Sequence, residues 1–274
     1  MTPLAVAAVL TSAALHATWN GLLKGSRDPA ATAVLIGLGA ALFSTALALL
    51  QGVAIPASAT VPTLLSGAIE AVYFVTLAGA LARLPLGTTY GLARGGGQLV
   101  TWPLSVLTMH ERLTPRAAVG AVLVTAGLAS TASGGGSPVG LAYAAGCAVA
   151  IGFYPITYKA ALGAGAGEAA LFAASIAISL PLQALMLGAT AKERLRAAAL
   201  ETPHRTAVAA ALCAASFLTF LVGLAHGDAG RASALRNTSV LFATAVAWRR
   251  GEPVGARTIV AMAAIVLGAA LVLG

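Results

Sequence analysis

Apolar runs long enough to cross a bilayer recur along almost the entire chain, each closed off by proline, glycine or a short charged cluster. No other feature restricts the fold as much. A helix needs about 20 apolar residues to cross roughly 30 Å of hydrocarbon. Lipid offers no partner to backbone N–H and C=O groups, so only helices and closed barrels can span it. Barrel strands alternate polar and apolar residues, whereas runs such as AVLIGLGAALFSTALALL, residues 33–50, do not. The spans are therefore helices. Composition agrees: 59% of residues are hydrophobic and 9% charged, against roughly 45–50% apolar content in soluble domains.

Breaking the chain at its proline, glycine-rich and charged clusters places spans at 3–23, 30–50, 62–82, 86–108 and 115–133. After ASGGGSPVG they resume at 139–161, 167–189, 204–225, 229–248 and 256–274. The fold class that follows is all-α and integral to the membrane, with ten transmembrane helices. The opening segment, MTPLAVAAVLTSAALHATWNGLLK, has no basic leader and reaches span length, so it reads as a retained span and not a cleaved signal. The longest connection, ATAKERLRAAALETPHR, leaves no room for a soluble domain.

The net charge is +8, yet the basic residues are scattered singly over short connections and form no patch interleaved with aromatics. That pattern orients spans and argues against a nucleic-acid partner. It leaves a small-molecule substrate and membrane lipid as partners, with a monomer as the expected assembly. Connections 1, 3, 5, 7 and 9 hold about ten Lys and Arg against about four on the other side, which by the positive-inside rule turns both termini outward. Cys147 and Cys213 lie inside apolar runs without CxxC spacing or a histidine cluster, so they read as packing residues, with no metal or cofactor expected. Nor does the chain carry HExxH, an Asp-rich cluster or a nucleophile with a base at usable spacing, and an enzyme is not expected.

Internal similarity organises the spans. SVLTMHERLTPRAAVGAVLVTAGLAS lies over TAVAWRRGEPVGARTIVAMAAIVLGAA with Glu111 on Glu252, Arg116 on Arg257 and Gly127 on Gly268 at one constant offset. After a one-residue gap, Arg94 in GLARGGGQLVT meets Arg236 in SALRNTSVLFAT. The expected organisation is a first five-helix repeat at 1–133 and a second at 139–274, joined by the Gly/Ser/Pro segment 134–138. An odd number of spans per repeat inverts the second copy in the membrane.

The segments LHATWNGLLKGSRD, GLARGGGQLVTWPLSVLTMHERLTP and ALRNTSVLFATAVAWRRGEP, with a glutamate-containing turn after spans four and nine, resemble the drug/metabolite transporter superfamily and its ten-span EamA-type branch. The resemblance covers essentially the whole chain. It implies a basket of ten helices, a central cavity lined chiefly by spans 1, 3, 4, 6, 8 and 9, and alternating access. One departure is Asn237, where an acidic residue is expected after the span-nine arginine. Superfamily members with cytoplasmic termini imply the opposite orientation to the charge count, so the direction stays open.

An arginine at depth costs about 2.5–3.5 kcal/mol on insertion scales and must be paired, snorkel or face water. Arg94 and Arg236 each lie about eight residues into a span, roughly 12 Å along the helix. They can bind a substrate anion, join a structural ion pair or reach a lipid headgroup. Glu70, the one acid inside a span, is the natural salt-bridge partner of Arg94 and equally a coupling carboxyl whose charge responds to substrate. His16, Trp19 and Asn20 share one helical face; His16 is either a hydrogen-bonded packing residue or a proton relay. Trp19, Tyr73 and Tyr154 are the aromatics expected at the cavity, with Trp248 an interfacial anchor. The RGGGQ run predicts close helix approach and a locally irregular span near Gly95–Gly97 that presents Gln98 to the cavity, while Asn237 faces it from span nine.

The resulting expectation is a secondary transporter of a small polar metabolite, an amino acid or other carboxylate, exported by alternating access in a bacterial inner membrane. A lipophilic-cation or multidrug exporter of the same fold is the alternative. That activity needs a membrane carboxylate, for which Glu70 is available and the nearby arginines are unfavourable.

Overall fold

The computed structural model describes residues 1–112, 114–131, 137–249 and 255–273. In chain order the helices are α1 (Pro3–Lys24), α2 (Pro29–Gln51), α3 (Thr60–Leu81), α4 (Leu86–Met109), α5 (Pro115–Thr131), α6 (Pro138–Gly163), α7 (Glu168–Leu185), α8 (Ala191–Glu201), α9 (Pro203–Ala225), α10 (Ala229–Arg236), α11 (Ser239–Arg249) and α12 (Ala256–Leu273). Glu252 and the joint residues 134–136 lie outside the described residues.

Several starts follow one local rule, a polar cap followed by proline. Thr2, Asp28 and Ser137 accept hydrogen bonds from Ala5, Ala31 and Gly140, and Pro3, Pro29 and Pro138 open the helices behind them. Thr114 caps Ala117 in the same way ahead of Pro115. The cap satisfies an orphan N–H, and proline has none to lose at the first helical position.

Seven helices are long and apolar enough to cross a membrane: α1, α2, α3 with the turn before it, α6, α7, α9 and α12. Their outward faces carry exposed Leu42, Leu50, Val208 and Val260, the surface expected against lipid. The chain is a multi-pass α-helical membrane protein. Apart from α8, which lies in a connection, four helices depart from that measure. α4 has 24 residues but is more polar, α5 has 17, and α10 and α11 are short pieces of 8 and 11 residues.

Two expectations are corrected here. The Gly95–Gly97 segment is regular α-helix inside α4, because the glycines are filled in by neighbours. A Cβ on Gly96 would stand 2.8 Å from that of Ala148, and one on Gly97 would stand 2.4 Å from Ile151 Cγ2. Close approach is what they provide. The irregularity falls instead at Asn237–Thr238, between α10 and α11. There Thr238 Oγ1 donates to the Leu235 carbonyl at 2.8 Å, the local side-chain competition that makes Asn, Thr and Ser weak helix formers. The long connection also differs, since α8 folds most of it into a helix.

The bundle packs α1 on α9, α3 and α4 on α6, α2 on α7, and α5 on α12. At the last crossing, a Cβ on Gly120 would come 2.6 Å from the Gly268 carbonyl oxygen, and a Cβ on Gly268 would meet Gly120 O at 2.6 Å. Helix ends share a device that occurs twice. Lys24 Nζ donates to the carbonyls of Leu81 and Leu84 beyond α3, and Lys159 Nζ donates to those of Leu224 and Gly227 beyond α9. These carbonyls would otherwise be orphans at the C-terminal end.

Candidate functional site

Two buried arginines stand in different surroundings. Arg236, at the last turn of α10, is fully buried. Its Nη1 donates to Tyr154 Oη at 2.9 Å, and Nη2 lies 3.3 Å from His16 Nδ1 and 3.4 Å from Ser216 Oγ. The guanidinium sits over the rings of Phe217 and Phe220, at 4.6 and 4.2 Å from their centroids, within cation–π range. Ser216 is itself fixed by Ser12, each hydroxyl donating to the other's carbonyl across α1 and α9. The helix break after Arg236 thus delivers a cation into an aromatic socket.

Arg94, on α4, is 3% exposed, and its Nη2 is buried without a hydrogen-bond partner. Its nearest aromatic support is Tyr90, 6.0 Å from the guanidinium carbon. It borders a small cavity of about 10 Å³ with His16, Asn20, Tyr73, Thr89 and Tyr90, room for about one water. The walls are tied together: Asn20 Nδ2 donates to Tyr90 Oη at 2.8 Å, and Tyr73 Oη lies 3.4 Å from His16 Nε2. His16 thereby bridges the two arginine environments, touching Arg236 through one ring nitrogen and Tyr73 through the other. The His16 ring also meets Trp19 edge-on at 5.2 Å.

The remaining predicted residues fall into two further pairs. Asn237 Nδ2 donates to Gln98 Oε1 at 2.8 Å, joining α4 to the break after α10. Glu70 Oε1 accepts from Tyr158 Oη at 2.9 Å, and Oε2 is buried without a partner. The expected Arg94–Glu70 salt bridge does not form. Among the described residues the ion pairs are peripheral: Arg27–Glu201, Arg194–Asp28 and Arg231–Asp228. Glu70 sits instead beside Tyr158.

Residues 138–274, half the chain, match the EamA-like transporter family. The chain belongs to that family. It is a membrane transporter of the drug/metabolite type. A solved crystal structure, described only as that of a protein, shares the fold with a TM-score of 0.74 at 21% identity, covering 97% of this chain and 95% of that one. No curated protein matches it.

In this EamA-like chain, sequence reasoning placed His16, Asn20, Tyr73, Arg94, Tyr154 and Arg236 in one connected cluster, and the structure brings them together. It missed Ser216, Phe217 and Phe220 and left Tyr90 divided between cavity wall and interface; these four complete the walls. The signal for the two phenylalanines was their i, i+3 spacing on α9, which sets both on one face. Ser216 carried no signal of its own, because its role depends on a partner 204 residues away. Glu111 has a role unlike that of the others. Its carboxylate accepts from the backbone N–H groups of Ala229 and Gly230, the second at 3.0 Å, so it caps α10 from the turn after α4. A carboxylate there satisfies orphan donors and complements the positive helix end.

Proposed function

We propose that the chain is a secondary transporter of a small polar metabolite bearing a carboxylate, an amino acid or other carboxylate, exported by alternating access. We place it in a bacterial inner membrane as ten spans in two inverted five-helix repeats, 1–133 and 139–274. The paired contacts α1–α9 and α3–α6, and the twin Lys24 and Lys159 caps, support that symmetry.

The observation that carries the substrate class is charge. Among the described residues two buried arginines stand against the single buried carboxyl of Glu70. Arg236 is engaged by Tyr154 and the rings of Phe217 and Phe220, whereas Arg94 has an unpartnered Nη2 and no ion pair among the described residues. An unpaired buried charge is costly, and a substrate carboxylate beside Arg94 removes that cost. A lipophilic-cation exporter would use Glu70 as counter-charge through its unpartnered Oε2, and the two buried arginines oppose a cation there. With no nucleotide-binding motif in the sequence, a gradient supplies the energy, and Glu70 and His16 are the groups assigned to coupling.

The test is thermal stability of purified protein with single amino acids, other carboxylates and lipophilic cations, for wild type and the double variant Arg94→Ala, Arg236→Ala. Carboxylates should stabilise wild type and not the variant. Stabilisation by cations alone, or a carboxylate response that survives in the variant, overturns the reading.

A further inference from the structure

α8 is folded from a connection and takes no part in the central cluster. Its depth is set by the span before it. α7 closes on Leu185, 74% exposed, and Met186 after it is 57% exposed, a surface that suits lipid. One short turn further on, α8 begins at Ala191, where hydrocarbon gives way to headgroups.

Its faces divide by charge. Residues three and four apart share a helical face, and Ala191, Leu195 and Ala198 form the inner one, packed with Ala31 and Val34 at the start of α2. The flank beside it turns to the first connection. There Arg194 holds Asp28 bidentately at 2.7 and 2.8 Å, and Glu201 accepts from the Arg27 backbone N–H at 3.3 Å. Lys192, Arg196 and Ala199 lie on the opposite flank, all exposed. Leu200, 71% exposed, stands beside them at the outermost point of the helix.

Among the described residues no acid lies within ion-pair distance of Lys192 or Arg196. Glu193, the acid on the outer surface of α8, pairs with neither. The same end of the bundle holds Arg83 and Arg205, which donate to the carbonyls of Gly79 and Leu22, contacts that leave their charge uncancelled. Two free cations flanking an exposed leucine, at headgroup depth, match an interfacial helix: the leucine meets the acyl boundary and the cations meet phosphate.

We propose that the outer flank of α8 binds the headgroups of anionic phospholipids, with Lys192 and Arg196 on the negative charge and Leu200 at the acyl boundary. The attraction falls off within a Debye length and is lost in high salt. It does not depend on which substrate the central cluster takes.

The experiment places a bimane fluorophore at Ala199→Cys, on that flank; the native cysteines, Cys147 and Cys213, are fully buried. In nanodiscs, quenching is compared between phosphatidylglycerol and phosphatidylcholine that carry the same nitroxide high on the acyl chain, at equal mole fraction. Phosphatidylglycerol should quench several-fold more. The double change Lys192→Gln, Arg196→Gln should make the two lipids equal while phosphatidylcholine quenches as before, which shows α8 still in place. High salt should do the same without any substitution at the cations. A label at Leu50→Cys, 85% exposed at the far end of α2, should show no preference. The proposal is overturned if both lipids quench alike at Ala199→Cys, or if the preference survives the double change or high salt. It is equally overturned if Leu50→Cys shows the same preference, or if neither lipid quenches, since α8 would then stand clear of the bilayer.

Discussion

Replacing each buried arginine by methionine should move the unliganded protein in opposite directions. Methionine keeps most of the apolar stem and removes the charge. At Arg236 the loss includes a 2.9 Å bond to Tyr154 and stacking over Phe217 and Phe220. A hydrogen bond from a charged donor contributes about 1.5–3 kcal/mol and a desolvated cation–π contact up to about 2. Part of this is returned by relief of desolvation, so Arg236→Met is expected to lose about 2–4 kcal/mol. At Arg94 the balance reverses, since the charge has no ion-pair partner among the described residues and Nη2 has no hydrogen bond. The Tyr90 contact at 6.0 Å is lost, and the desolvation of a buried cation, several kcal/mol, is relieved. Arg94→Met should gain about 1–3 kcal/mol. On the scale of soluble domains each kcal/mol is roughly 2–4 °C, so the two melting temperatures should separate by roughly 6 °C or more. Thermal unfolding in detergent without substrate measures this directly. If Arg94→Met melts below Arg236→Met, the charge argument for an anionic substrate fails with it.

Three further outcomes follow from local geometry. Gly97→Ala places a methyl 2.4 Å from Ile151 Cγ2, and overpacking of that kind should cost about 1–3 kcal/mol of thermal stability; a neutral variant would mean α4 and α6 are not in close contact there. Lys24→Met and Lys159→Met each strip one cation from two carbonyls and should each cost about 1.5–3 kcal/mol. Unequal losses, differing by more than about that range, would count against equivalent roles. Arg194 holds the Asp28 carboxyl below the usual carboxylate range. Because the folded value is depressed, its stabilisation is complete above about pH 4 and fades as pH falls through the lowered value. Asp28→Asn should therefore lose about 1–2 kcal/mol at neutral pH, from the cap and the part-exposed pair, and the gap to wild type should close in acid. A gap that widens below pH 4 contradicts the assignment.

The helices were legible because in lipid the same residues that make a span also mark its ends. Thr2-Pro3, Asp28-Pro29 and Ser137-Pro138 open α1, α2 and α6 where the apolar runs begin. What could not be read is what neighbours decide. Three consecutive glycines look flexible in isolation, yet Leu128, Ala148 and Ile151 fill the space that flexibility would require. RNTS looks no weaker than RGGG, but its side chains compete for backbone carbonyls and the helix yields there. At the site, arginine depth and helical face brought His16, Asn20, Arg94 and Arg236 together, because depth follows from counting. The partnering of Glu70 with Tyr158 depends on an approach of α3 to α6 that no local pattern encodes.

The α5–α12 crossing has a mechanical consequence. Where Gly120 and Gly268 meet, neither helix has room for a single methyl against the other's backbone, so neither can slide along the other. Close backbone packing of this kind is expected to hold α5 and α12 together as one unit during transport. A covalent cross-link across this pair should then leave transport running, whereas an arrested carrier would make α5 and α12 moving parts.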